Sequence, residues 1–110
     1  MTQRGEVYEI DVPRGAGPHL CVVVQSDVAI ARFATVLLVP LSDAGKHRGE
    51  PFSPFISRAN NRFLTKDTVA VARWVFFFEK KLLKPAKLRA VLHADDLLAI
   101  ELTLRDLLGP

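Results

Sequence analysis

Cysteine, tryptophan, tyrosine and methionine each occur once in the 110 residues of this chain, and histidine three times. Each scarcity excludes something. A lone cysteine, Cys21, can neither close an internal disulfide nor build a cysteine metal site, and its place in the apolar run Leu20 to Val24 reads as a small buried side chain. The histidines, His19, His47 and His93, stand at no regular ligand spacing, so metal dependence is not supported, and no cofactor is expected. No apolar run approaches the ~20 residues of a membrane helix. The start of the chain, where Arg4 is soon followed by Glu6, lacks a signal peptide's charged-then-apolar layout. A soluble, cytoplasmic protein with no membrane partner is the expectation. Also missing are a phosphate-binding glycine loop, a serine elbow, a carboxylate pair at catalytic spacing, internal repeats and low-complexity tracts.

What is present is a 49% apolar composition, enough for one core of ordinary size, so residues 1–110 are read as a single domain. The net charge of +3 is unevenly spread. Residues 57–90 carry nine basic side chains against Asp67 and Glu79, whereas 91–110 is acidic. A polyanion or an acidic peptide is the natural partner of such a stretch, and a solvated face is the ordinary alternative.

Periodicity gives a run of short strands and one helix. Gly5 to Asp11 suits a half-buried strand; His19 to Gln25 and Thr35 to Leu41 are β-branched, apolar and short, as central strands are. Pro13 to Pro18 makes a loop, and Asp27 to Arg32 a single helical turn capped by Ser26 or Asp27. The polar segment Ser42 to Pro51 reads as a mobile loop, and Phe52 to Ile56 as a short strand weakened by Pro54. Thr68 to Phe78 exceeds the usual strand length, so it should bend or change partner near Arg73 and Trp74. A further strand or turn runs through Leu88 to Leu92. From Ala94 onward Leu97, Ile100, Leu104, Leu107 and Leu108 share one helical stripe, with Leu98 and Leu102 on a second that packs under a loop or faces another subunit. His93 is a helix-start residue with no chemistry assigned. The order implies a mainly β fold with a C-terminal helix: a small antiparallel barrel capped by that helix.

Four blocks, RGEVYEID, HLCVVVQSD, TVLLVPLSDAG and HADDLLAIELTLRDLLG, resemble in order and spacing the MazF/PemK toxins of type II toxin-antitoxin systems. The resemblance spans nearly the whole chain. It implies an SH3-like barrel, usually homodimeric, that cuts single-stranded RNA (messenger or transfer) without a metal, leaving a 2′,3′-cyclic phosphate and a 5′-hydroxyl. It also implies a cognate MazE-like antitoxin whose acidic flexible segment blocks the RNA groove. This chain departs from the commoner pattern in carrying His19 where many relatives have an arginine, Ser42 where they have a threonine, and Ala72 with Arg73 where an acidic residue and glutamine are frequent.

Cleavage without a metal needs a base for the 2′-hydroxyl, donors for the phosphate and an acid for the 5′-oxygen. His19 is the first acid-base candidate, since an imidazole exchanges protons near neutrality and an arginine does not. Ser42 keeps the hydroxyl that can donate to phosphate. Lys46, His47 and Arg48 are placed on the RNA, with His47 the second acid-base candidate. Arg14 is a backbone contact from the glycine-bearing loop, and Arg73 with Trp74 pairs a cation with a stacking surface. Each has an ordinary reading too: a strand-entry histidine, a turn serine, solvated loop cations, and a core or dimer tryptophan. Two other functions stay open, a CcdB-like gyrase poison and a catalytically inactive relative that only binds RNA or antitoxin. The gyrase contact of that branch depends on a C-terminal tryptophan segment, and this chain ends Leu107-Leu108-Gly109-Pro110.

Overall fold

The computed structural model describes residues 1–12 and 17–109, which leaves Arg14 outside the described residues. Strands β1 (Glu6–Asp11), β2 (Pro18–Val23), β3 (Thr35–Asp43), β4 (Phe55–Ile56), β5 (Thr68–Ala70), β6 (Phe76–Glu79) and β7 (Leu88–Val91) form one antiparallel sheet. Helix α1 (Asp27–Arg32) bridges β2 and β3, and α2 (Ala94–Leu108) closes the chain. The order across the sheet is β4-β5-β3-β2-β1-β7, with β6 also on β3. The sheet curls into a half-barrel carrying the C-terminal helix, the architecture the periodicity implies.

The near-continuous apolar runs of β2 and β3 have a simple cause: both faces of the sheet are covered. Val22, Val39 and Leu41 join Val7, Ile56 and Ile100 in one core beneath α2. Cys21, Val23, Val36 and Leu38 point the other way and pack with Tyr8, Ile10 and Ile30 of α1. Ser26 caps α1 by accepting from the Ala29 N–H, and His93 caps α2 through its ring, Nδ1 accepting from the Asp95 N–H. Along α2, Ile100 is fully buried and Leu97 and Leu104 pack beside it, while Leu98 and Leu102 are about half exposed. Leu108 does not belong to the buried stripe; it is 88% exposed in the last turn.

The expected bend in the 68–78 run is a slip in register. Leu41 pairs with Ala70, yet Leu38 pairs with Phe76, so three extra residues are inserted opposite β3. They form a 3-10 turn, Ala72–Trp74, that pushes Arg73 and Trp74 out of the ladder.

Candidate active site

A groove opens where β2 and β3 part. Their ladder runs from Val23↔Leu38 to Cys21↔Pro40 and stops there, at a residue with no N–H. Beyond Pro40, β3 continues on β5 alone, through Leu41↔Ala70 and Ser42↔Val69. Continuing the β2–β3 register outward would set His19 across from Ser42, and both line a groove of about 270 Å³ with Leu20, Leu41 and Lys46. Phe63, Leu64, Thr65 and Lys66 form its other wall. His19 Nδ1 lies 3.2 Å from the Gly17 carbonyl oxygen. A carbonyl only accepts, so this contact places a proton on Nδ1 and leaves Nε2 as the nitrogen that can exchange one with the groove.

The segment after β3 is not a free loop. β3 runs on to Asp43, whose carboxylate accepts from the Gly45 N–H at 2.8 Å and turns the chain into a 3-10 helix, Ala44–His47. That hydrogen bond, with Lys66 and Lys46 beside it, holds the Asp43 carboxyl below its usual range. The turn brings His47 back against the strand it left. Its Nε2 lies 3.1 Å from Ser42 Oγ and its Nδ1 2.6 Å from Glu50 Oε2. Arg73, thrown out by the register slip, donates Nε–H to Glu50 Oε1 at 2.9 Å, and Ser53 Oγ donates to Oε2 at 3.3 Å. Arg73, then His47, hold the Glu50 carboxyl below its ordinary range.

Two residues past Glu50, Phe52 takes a left-handed φ of 58°, rare for an aromatic residue. Its carbonyl accepts from the Ala72 N–H, which ties the loop to the 3-10 turn of Arg73 and Trp74.

Trp74 sits between the two histidines. Its ring meets His47 edge-on at 5.1 Å and His19 at 6.4 Å, and the Arg73 guanidinium lies 5.2 Å from its centroid. The indole Nε1 is buried and has no hydrogen-bond partner among the described residues, a loss of about 1–3 kcal/mol for a typical buried donor.

The structure thus gathers His19, Ser42 and Lys46 along one groove. His47 and Arg48 line a neighbouring depression behind it, with Gly49 and Glu50. Arg73 and Trp74 join the cluster through Glu50 and the two imidazoles rather than by lining that groove. The basic stretch is less concentrated than its sequence suggests. Lys80 donates to the Ile30 carbonyl, Lys87 and Arg89 pair with Glu9, Arg58 pairs with Asp67, and of this stretch Lys66 reaches the groove. Glu50 is the residue that sequence reasoning missed. Its one signal was the three-residue spacing from His47, which a tight turn converts into contact. Among the described residues, no three histidine, cysteine or carboxylate side chains are grouped as metal ligands would be.

Fold and site together define a small helix-bearing half-barrel with a polar groove at the parting of two central strands. Residues 3–108 match the family model described as PemK-like, MazF-like toxin of type II toxin-antitoxin system. The chain therefore belongs to that family.

Among solved structures, it is similar to an endoribonuclease in complex with its cognate antitoxin from Mycobacterial species, with a TM-score of 0.79 at 21% identity over 99% of this chain and 96% of that one. Two crystal forms of the MazE-MazF complex of Deinococcus radiodurans also match. Their TM-scores are 0.73 and 0.72, each at 16% identity over 98% of this chain, covering 95% and 96% of theirs. These likenesses bear on the fold. No curated protein sequence matches this chain.

Proposed function

We propose that this toxin is a metal-independent endoribonuclease that cleaves single-stranded RNA to 2′,3′-cyclic phosphate and 5′-hydroxyl ends. The observation that carries the reading is the groove itself, where an imidazole and a hydroxyl lie on opposite strands with Lys46 beside them. His19 supplies the proton-exchanging group, Ser42 donates to a phosphate oxygen, and Lys46, with Arg48 nearby, offsets the phosphate's charge. That a structural neighbour is an endoribonuclease in complex with its cognate antitoxin supports the reaction and a cognate, MazE-like inhibitor, whose acidic segment would cover this groove.

The test is incubation of the purified protein with total RNA in EDTA. Discrete fragments ending in cyclic phosphate are expected from wild type and not from a His19→Ala, Ser42→Ala double variant. Absence of wild-type cleavage, or undiminished cleavage by the double variant, overturns the assignment; gyrase-dependent DNA breaks would replace it with a CcdB-type poison. A homodimer fits the half-exposed Leu98 and Leu102 and the 69% exposed Phe77. Sedimentation of the chain as a monomer at tens of micromolar would refute it.

A further inference from the structure

Resting on the ribonuclease reading above, we propose that Ser42, His47 and Glu50 form a proton relay that acts as the base of the cleavage, its direction fixed by Arg73. Ser42 lines the groove, whereas His47 lines the depression behind it, with 7% of its side chain exposed. The imidazole therefore meets Ser42 and not the substrate. Ser42 is the catalytic residue of the relay; His47, Glu50 and Arg73 are positioning residues.

The geometry assigns the protons. Arg73 is a donor only and takes Glu50 Oε1, so Oε2, 2.6 Å from His47 Nδ1, is the acceptor left for the ring. A carboxylate held ionised by a guanidinium cannot donate, so the His47 proton sits on Nδ1. Nε2 then presents its lone pair to the Ser42 hydroxyl 3.1 Å away. As the RNA 2′-oxygen forms its bond to phosphorus and the bond from phosphorus to the 5′-oxygen breaks, the 2′-hydroxyl proton passes to Ser42 Oγ. The serine's own proton passes to His47 Nε2. His19, across the groove, enters the step in its doubly protonated form, Nδ1–H on the Gly17 carbonyl and a second proton on Nε2; Nε2 gives that proton to the departing 5′-oxygen, so His19 ends neutral as His47 becomes the cation and no net charge is created.

The arrangement is held from three sides. Ser42 and Glu50 bond the two ring nitrogens, Trp74 packs edge-on to the ring with His19 on its far side, and Arg73 closes on both Glu50 and the indole. Asp43 bonds the first turn of the same segment.

Glu50→Gln separates this relay from simple packing. Arg73 still demands an acceptor, so the glutamine carbonyl faces Arg73 and its NH2 faces Nδ1. Nδ1 must then accept, the proton moves to Nε2, and His47 can no longer take one from Ser42. Long-range 15N–1H spectra of the full chain, labelled at histidine, should show His47 as the Nδ1–H tautomer in wild type and the Nε2–H tautomer in E50Q. Adding Arg73→Met frees the glutamine carbonyl to turn to Nδ1 and should restore the wild-type tautomer. With a single-stranded RNA oligonucleotide in EDTA, E50Q should lower kcat by about 10²-fold with KM within about twofold. Ser42→Thr should retain cleavage that Ser42→Ala loses. Spectral dispersion like wild type shows that each variant is folded.

An Nε2–H tautomer in wild type, or wild-type kcat in both E50Q and His47→Gln, overturns the relay while leaving the ribonuclease assignment standing. No cleavage by wild type overturns both.

Discussion

Replacing Asn61 with leucine tests how the far wall of the groove is held. Asn61 is 3% exposed. Its Nδ2 donates to Asp96 Oδ2 at 2.6 Å and to the Ser57 carbonyl at 2.8 Å, and its Oδ1 accepts from the His93 N–H at 2.8 Å. One side chain thus fastens the 57–66 loop to the start of α2. Leucine repeats the branched heavy-atom skeleton of asparagine, so no cavity forms; its bulkier methyls add crowding to the polar loss rather than offset it. The charge-assisted bond to the buried Asp96 carboxylate is worth about 1.5–3 kcal/mol and the two neutral bonds about 0.5–1.5 each. Asp96 lies in the first turn of α2, where the helix dipole retains part of its stabilisation. A net loss of about 3 kcal/mol follows, or a fall in Tm of roughly 12–20 °C for a domain of this size. Urea denaturation read at Trp74, with the exposed Arg62→Leu as control, measures it. A loss under about 1 kcal/mol, or one equal to the control's, would refute the reasoning, as would an undiminished cost in an Asp96→Leu background. Because Phe63 to Lys66 wall the groove, the same variant should raise KM for RNA below its melting range.

His19→Arg keeps a hydrogen-bond donor in the groove but removes a group that can give up and recover a proton, so the cleavage rate should fall. A rate unchanged from wild type would place the acid elsewhere. The Glu50 carboxyl sits below its ordinary range because of Arg73 and then His47. What it contributes to stability is therefore complete above the unfolded value near ~4.3 and is lost as pH falls through the depressed one. Trp74 emission, reporting on the 42–53 loop, should change in that acidic window in wild type and not in Glu50→Gln. Burial pushes the Cys21 thiol up to about 12. A thiol reagent at pH 8 should leave it untouched until denaturant is added; modification of the native protein at the rate of a free thiol would contradict its burial.

Much of the fold was legible because its signals are local. The apolar runs of β2 and β3, the Ser26 cap and the 3.6-residue stripe of α2 each depend on neighbours within a few residues. The length of the 68–78 run announced a break near Arg73, and the register slip falls there. The Ser42 to Pro51 segment was misjudged as mobile. Its polar, glycine-bearing composition is that of a loop, but its order comes from Arg73, 23 residues beyond Glu50, and from the Ala72 N–H on the Phe52 carbonyl. Leu108 was misplaced because helical periodicity gives a side chain's angle and not how far along the helix its packing partners extend.

The same distinction explains the site. His19 and Ser42 were visible as chemistry at the ends of two strands, and their approach follows from strand order alone. Glu50 was invisible because a carboxylate in a polar loop means nothing until something makes it an acceptor with one oxygen to spare. Here that something is an arginine displaced by three residues of mismatched register. Restoring regular pairing by deleting Ala72 to Trp74 would return the strand to its ladder, and would take from His47 both the partner that ionises its carboxylate and the indole packed on its ring. The irregularity in the sheet is thus what converts a surface histidine into an oriented one.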